Sequence, residues 1–191
     1  MGLGGGPTCW EEYEWVRLAD LPATSARPAE PLTEALVGWV QTHPLWIEDG
    51  STRVLLVDLD NLRAEPVRLR ARLAAVVELA RGADRAAFAG QTGSVERSRP
   101  WLAEFASEAE AVGGGSDEAD WVLLDAAEAV TDYPLQFIVV SNDWIFAGLA
   151  RRGPLILLSP GADALSDRLK ASATRVVDLV VLEQAAAARQ R

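Results

Sequence analysis

Two aspartates and an asparagine follow a short apolar run in the first third of the chain. Residues 54–57 are Val-Leu-Leu-Val, and Asp58, Asp60 and Asn61 come directly after them. An apolar run without polar alternation is typical of a central strand in a parallel sheet, because helices cover both faces of such a strand. Ligands of these sheets bind where the carboxyl ends of the strands open into a crevice. The pattern therefore predicts a metal site or phosphate chemistry at the end of this strand.

Two more aspartates are expected at the same edge of the sheet. Asp143 follows a second apolar run, residues 137–140, and Asp120 lies early on a helix that a glycine-rich loop precedes. Three gathered carboxylates repel one another unless a divalent cation neutralises them, and Mg²⁺ prefers such hard oxygen ligands. We therefore predict an Mg²⁺ or Mn²⁺ site formed by Asp58, Asp120 and Asp143. Helix capping and dipole stabilisation are the simpler roles for the last two.

Three short motifs resemble the NYN branch of the PIN-like ribonucleases over about residues 53–160. They are the strand ending in Asp58-x-x-Asn61, the helix start Ala119-Asp120-x-x-Leu123, and Ser141-x-Asp143-x-x-Phe146 after an apolar strand. The resemblance implies a three-layer α/β/α domain with metal-dependent endoribonuclease activity. It also implies that Asp58, Asp120 and Asp143 bind the metal and that Asn61 and Ser141 support them.

One position departs from the family pattern. Where the family often has a second aspartate just before the phenylalanine, this chain has Ile145. Asp60 or Asp117 could compensate for the missing carboxylate. The alternative is a domain that keeps the fold without the chemistry.

Arginines near these segments are the candidate contacts for an RNA backbone, since a guanidinium fork matches a phosphate. They are Arg63, Arg97, Arg99, Arg151 and Arg152. The net charge of −10 argues against a large non-specific footprint on nucleic acid. The predicted RNA is therefore short or structured and held locally.

The chain divides into three parts by composition. Residues 1–50 combine a tryptophan-rich, acidic and proline-containing arm with one short helix that closes before Pro44 and packs on the main domain. The arm could bind a protein partner, although anchoring to its own domain is the simpler role. Residues 51–180 form the main domain, and residues 181–191 are an alanine-rich tail.

Strands and helices alternate through the main domain, which predicts right-handed βαβ units and a Rossmann-like, three-layer α/β/α fold with a central parallel sheet. The expected strands are 54–57, 86–89, 137–140, 155–158 and 176–177. The expected helices are 67–80, 96–111, 119–127, one through Phe146, Leu149 and Ala150, and a short one ending at Lys170.

Two other functions compete for the same residues. In a phosphatase of the haloacid dehalogenase type, which Asp58-Leu59-Asp60 also resembles, Asp58 would be the nucleophile, Asp60 the acid/base and Lys170 the required lysine. In a non-catalytic interaction module, Trp10 and Trp15 of the arm would contact a partner.

Composition excludes several other classes of function. With one cysteine, Cys9, and one histidine, His43, the chain supports no disulfide framework, Cys/His zinc site or Ser-His-Asp triad. His43 is expected to cap a helix at the surface. No signal peptide or membrane span is recognisable, which predicts a cytoplasmic protein. The oligomeric state is left open.

Overall fold

The structure is a computed structural model that describes residues 31–115 and 117–189. Its helices and strands are, in chain order, α1 (Pro31–Thr42), β1 (Thr52–Asp58), α2 (Pro66–Arg81), β2 (Arg85–Gln91), α3 (Thr92–Ser98), β3 (Ala109–Val112), α4 (Glu118–Glu128), β4 (Leu135–Val140), β5 (Leu155–Ser159), α5 (Asp167–Ser172), β6 (Arg175–Asp178) and α6 (Leu179–Arg189). Shorter 3₁₀ helices are Arg99–Trp101, Ala103–Ser107, Trp144–Arg151 and Ala162–Ala164.

The six strands form one parallel sheet in the order β3-β2-β1-β4-β5-β6. β1 is central, so that Val57 pairs with Phe88 of β2 on one side and with Val140 of β4 on the other. The chain runs outward from β1 in one direction and then returns to build β4, β5 and β6 in the other. This reversal between β1 and β4 is the topological switch point, where α/β sheets open a crevice for ligands. The predicted Rossmann-like fold is confirmed.

Alternation along the strands separates the two hydrophobic cores. Successive side chains of a strand point to opposite faces of the sheet. Leu55 and Val57 therefore join a first core with α1, α2 and α6, whereas Val54 and Leu56 join a second core with α4, α5 and the 3₁₀ helix Trp144–Arg151. Helices cover both faces of the sheet, as the near-continuous apolar runs predict.

The predicted helix over residues 96–111 is wrong. α3 ends at Ser98, two 3₁₀ helices follow, and Ala109–Val112 pairs with β2 as an edge strand. The apolar spacing of Leu102, Phe105 and Ala109 is helical, and all three are buried. Pro100 stops α3, because proline has no N–H and restricts the residue before it. The helix predicted through Phe146 is a 3₁₀ helix.

The two ends of the described chain pack against each other. α1 is confirmed as a helix on the main domain, with Leu36 and Val40 buried in the first core. His43 follows α1 at the surface, where its ring stacks on Trp39 at 4.8 Å and its Nδ1 lies 3.0 Å from the Trp39 carbonyl oxygen. The arm predicted to bind a partner, with Trp10 and Trp15, lies outside the described residues.

No helix in the described ranges is long and apolar enough to cross a membrane.

The alanine-rich segment, predicted as a tail, forms α6 and carries a buried carboxylate. Glu183 is 5% exposed and accepts a hydrogen bond from Arg72 Nε at 2.5 Å. It also accepts one from Arg68 Nε at 2.7 Å. Both arginines belong to α2, so this ion pair attaches the end of the described chain to the domain.

We predict that Glu183→Ala lowers the free energy of unfolding by about 3–5 kcal/mol, because Arg72, 3% exposed, loses its buried partner. Urea unfolding measures the change. Gln184→Ala, an exposed neighbour on α6, is the matched control and should change stability by less than about 0.5 kcal/mol. Equal stabilities of the two variants would contradict a stabilising role for the ion pair.

Candidate metal centre

The carboxyl edge of the sheet collects aspartates from three separate segments. Asp58 is the last residue of β1, and Asp143 lies three residues beyond the end of β4. Asp120 lies in the first turn of α4, which packs on the second face of the sheet. Because β1 and β4 are neighbours and parallel, their carboxyl ends meet at the switch point. The three predicted acids therefore lie at one edge.

Three carboxylates come close enough to share one metal ion. Oxygens of Asp117, Asp120 and Asp143 all lie within 4.8 Å of one another. Two opposite oxygen ligands of Mg²⁺ are about 4.2 Å apart, so only a small side-chain adjustment separates this group from a coordination shell. We call these three residues the aspartate group. It could hold a metal ion.

Asp120 has the chemistry of an unsatisfied ligand. The residue is 7% exposed, and its Oδ1 atom is buried without a hydrogen-bond partner among the described residues. Burial, together with the charges of Asp58, Asp143, Asp117 and Asp60, raises the pKa of Asp120 from 3.8 to about 7. Burying a carboxylate oxygen without a hydrogen-bond donor destabilises the fold. A bound cation would neutralise the repulsion between the carboxylates and give this oxygen a partner. The donor set therefore fits a hard divalent cation.

Asp117 joins the aspartate group through an unusual backbone conformation. Its φ is +64°, in the left-handed region that aspartate tolerates better than most residues. It precedes α4, yet its side chain makes no capping hydrogen bond there. The carboxylate is exposed and belongs to the group instead. Asp117 thus supplies the third carboxylate, and Ile145 packs its side chain against the second core.

Asp58 lines the same cleft as Asp117 and Asp120, and its carboxylate positions the loops around the aspartate group. Its Oδ1 accepts hydrogen bonds from the backbone N–H groups of Asp60 and Asn61, and its Oδ2 accepts from Asn61 Nδ2 and Ser141 Oγ. Burial raises the pKa of Asp58 and these bonds oppose the rise. With both oxygens engaged, Asp117 rather than Asp58 completes the group of three in the described residues.

Ser141 and Asn61 both donate hydrogen bonds to the Asp58 carboxylate. Ser141 is fully buried, donates to Asp58 over 3.1 Å, and accepts the backbone N–H of Asp143 over 3.1 Å. It therefore connects the end of β1 with the loop after β4. The Asp143 carboxylate also accepts from Ile145 N at 3.4 Å, so Asp143 caps its 3₁₀ helix as well as joining the aspartate group.

Asp60 joins the turn after β1 to the end of β2 and the start of α3. Its carboxylate accepts hydrogen bonds from Gln91 N at 2.8 Å, Ser94 Oγ at 2.6 Å and Arg63 Nη2 at 3.0 Å. Partial burial opposes ionisation, but these three donors outweigh it and lower the pKa of Asp60. The loops approach closely at Gly90, where a Cβ would lie 3.0 Å from Leu59 Cβ. Asp60 is therefore a structural clamp.

Two of the candidate arginines lie near the aspartate group. Arg63 lines a cleft of about 140 Å³ together with Asp58, Asp117 and Asp120, and its side chain is 58% exposed. Arg97 is exposed and donates to Ser94 Oγ at 3.1 Å, beside the Asp60 clamp. Arg99 lines a separate cleft between α3 and β3.

Arg151 and Arg152 do not reach this edge, which corrects their predicted role. Arg152 donates to the carbonyls of Ala127 and Val130 at the end of α4. This position is at the amino edge of the sheet, where β4 begins. The adjacent Gly153 touches the Leu135 carbonyl there, so closely that a Cβ would lie 2.0 Å from it. Arg151, which is exposed, precedes this contact and shares its end of the sheet.

Two exposed tryptophans escape motif analysis. Trp121 and Trp144 directly follow Asp120 and Asp143 and are 56% and 52% exposed. Their position after two predicted ligands is a signal that the sequence does contain. Their exposure is a property of the folded chain alone.

We predict that Asp120→Asn stabilises the metal-free protein at pH 8. The raised pKa means that folded Asp120 keeps a proton that the unfolded chain releases, so stability falls as pH rises from about 4 towards 7. Thermal unfolding in EDTA should show a higher Tm for the variant at pH 8, by about 2–4 °C per kcal/mol, and a smaller difference at pH 5. Mg²⁺ should raise the Tm of the wild type more than that of the variant.

The control for this experiment is Asp132→Asn, an exposed acid just before β4 at the opposite edge. It should behave as the wild type in EDTA and in Mg²⁺. An Asp120→Asn variant that is no more stable than the wild type at pH 8 would contradict the claim that ionised Asp120 destabilises the metal-free protein.

Asp60→Asn should act in the opposite direction. The amide of Asn has one neutral acceptor oxygen in place of the two charged oxygens of Asp60, so it accepts more weakly from the N–H of Gln91. We therefore expect a loss of about 1–3 kcal/mol in the free energy of unfolding at pH 7. Because the pKa of Asp60 is lowered, its contribution is present above the usual aspartate range and is lost in acid, where the variant and wild type should converge. Urea unfolding at several pH values measures both effects, and stabilisation by Mg²⁺ should persist.

Comparisons with known proteins add no family assignment. No protein-family model matches the chain, and a search of curated proteins finds no significant match. The interpretation of the site therefore depends on its geometry.

Proposed function

We propose that this protein is a metal-dependent ribonuclease that hydrolyses phosphodiester bonds of RNA at the aspartate group. The observation that carries the proposal is the convergence of Asp117, Asp120 and Asp143 within 4.8 Å, with one Asp120 oxygen buried and unpartnered. This arrangement lies at the switch point of the sheet, in an open cleft rather than in a closed structural site. Magnesium or manganese is the proposed cofactor.

The residues of the site have separate tasks. Asp117, Asp120 and Asp143 would hold the ion, and a bound divalent cation supplies Lewis-acid chemistry that activates water and stabilises charge on the phosphate. Without metal, burial and the neighbouring carboxylates raise the pKa of Asp120 to about 7, and a bound cation would displace its proton. Asp58 and Ser141 fix the loop that carries Asp143. Arg63, at the rim, offers an exposed guanidinium for a phosphate.

The phosphatase alternative receives less support from the geometry. A nucleophilic Asp58 would have to attack from a side chain that is 3% exposed and has both oxygens engaged in hydrogen bonds. The proposed acid/base, Asp60, has a lowered pKa and three donors. Lys170 is exposed on α5 and is not among the hydrogen-bond donors to Asp58 in the described chain.

The test is cleavage of a panel of labelled RNAs with Mg²⁺, with Mn²⁺ and with EDTA. We expect metal-dependent cleavage that Asp120→Asn and Asp143→Asn each reduce by more than about 100-fold, because even outer partners of metal ligands cost 10–100-fold. Because the ion must displace the Asp120 proton, the metal concentration needed for half-maximal activity should fall as the pH rises towards about 7.

Asp132→Asn serves again as the control and should cleave as the wild type does. Cleavage that survives EDTA, or that Asp120→Asn leaves unchanged, would contradict the proposal. If the folded wild type cuts no RNA in the panel, the ribonuclease proposal fails. A phosphomonoester assay then separates a phosphatase from an interaction module.

A further inference from the structure

Two exposed tryptophans directly follow two members of the aspartate group in the sequence. Trp121 is 56% exposed and Trp144 is 52% exposed. The other tryptophans of the described chain, Trp39, Trp46 and Trp101, pack against the first core. The two tryptophans that remain exposed in the described ranges therefore each follow a member of the aspartate group in the sequence. Large aromatic rings left in solvent at a polar site are typical of a binding surface.

The backbone places both rings at the carboxyl edge. Trp121 lies four residues after Asp117 in α4, and its N–H donates to the Asp117 carbonyl at 3.0 Å. Trp121 lies in the first turn of α4, next to Asp120, and helical side chains tilt towards the helix N-terminus, so the indole leans towards the carboxyl edge. Trp144 is the first residue of the 3₁₀ helix that Asp143 caps. Consecutive Cα atoms are about 3.8 Å apart, so the Cα of each tryptophan lies about that far from the Cα of a candidate ligand.

Arg168 holds the second ring in place. Its guanidinium carbon lies 4.8 Å from the centroid of the Trp144 ring, which is the geometry of a cation–π contact. Arg168 belongs to α5, on the same side of the sheet. The indole is therefore oriented from one side, while half of its surface remains in solvent.

Charge explains why rings would be needed at this site. The chain has a net charge of −10, and the cleft itself contains several carboxylates. Phosphate attraction alone is therefore a weak source of affinity. Stacking of a base on an aromatic ring contributes about 1–3 kcal/mol and requires no cationic groove. The bases of a duplex are already stacked and paired, so only an unpaired segment can use such rings.

The geometry points to a base-stacking platform formed by Trp121 and by Trp144 with Arg168, which binds an unpaired segment of RNA across the aspartate group. This inference rests on the proposed function and specifies its substrate. A phosphodiester at the aspartate group would have its neighbouring bases on either side, at Trp121 and Trp144. The platform selects single-stranded segments without reading their sequence.

The experiment measures binding without cleavage, in EDTA, by fluorescence anisotropy of a labelled RNA 12-mer. Two further RNAs are measured for comparison: the same strand with abasic nucleotides, and a fully paired duplex. We expect the wild type to prefer the single strand, and Trp144→Ala and Trp121→Ala each to weaken binding by about 5–150-fold. Trp144→Phe should retain most of the affinity. Tyr133→Ala, which removes a 65% exposed aromatic ring at the opposite edge, should change nothing.

The abasic strand separates stacking from structural damage. If Trp144 stacks on a base, Trp144→Ala should lose affinity for the normal strand and no further affinity for the abasic strand. An equal loss on both strands overturns the platform, as does wild-type protein that binds the duplex as tightly as the single strand or binds no RNA. The slope of log affinity against log salt should be shallow, at about −0.7 for each phosphate contact.

Cleavage assays distinguish a failure of the base-stacking platform from a failure of the ribonuclease proposal. With Mg²⁺, Trp144→Ala should raise KM and leave kcat within about threefold, since stacking acts in the ground state and transition state alike. Cleavage that depends on Asp120 but ignores both tryptophans contradicts the platform alone. Base-dependent binding without any metal-dependent cleavage contradicts the ribonuclease and leaves the platform standing.

Discussion

The hydrogen bonds of the Asp58 carboxylate organise the whole carboxyl edge of the sheet. One oxygen holds the turn after β1, and the other holds Ser141 after β4. Ser141 in turn accepts the N–H of Asp143, so the position of Asp143 depends on a network that begins at Asp58. The network is buried, and low polarity strengthens each hydrogen bond in it. The same low polarity amplifies the charge that Asp58 imposes on Asp120.

Two aspartates at this edge show how environment assigns different tasks to one residue type. Asp60 has three donors and a lowered pKa, so it stabilises the fold by joining two loops. Asp120 has an unpartnered buried oxygen and a pKa of about 7, so it stores repulsion that only a proton or a cation relieves. Pairs of acids with divergent pKa values are common where a protein divides structural and chemical roles.

The acidic character of the chain constrains how it could hold an anionic polymer. Arg63 and Arg168 offer cationic groups near the aspartate group, but neither is part of a continuous basic groove in the described cleft. Trp121 and Trp144 add exposed, uncharged aromatic surface, on which bases could stack. Recognition through rings would also leave the carboxylates free to concentrate a cation. Acid and aromatic residues at one edge are therefore compatible, since they act on different parts of the same ligand.

Sequence patterns determined the fold class and the neighbourhood of the site. The apolar runs before Asp58 and Asp143 predicted buried parallel strands, and parallel strands bring their carboxyl ends to one edge whatever their neighbours are. Tertiary structure alone decided which acids face each other. Asp117 lies close to Asp120 and Asp143, Asp60 accepts hydrogen bonds from Gln91 and Ser94, and Arg152 donates to carbonyls at the opposite edge. Residues 96–111 had helical spacing, but α3 ends at Ser98 and Ala109–Val112 forms an edge strand, because pairing with β2 is non-local. Local periodicity reports which side of an element is buried, whereas hydrogen-bond partners and charge neighbours come from segments distant in sequence.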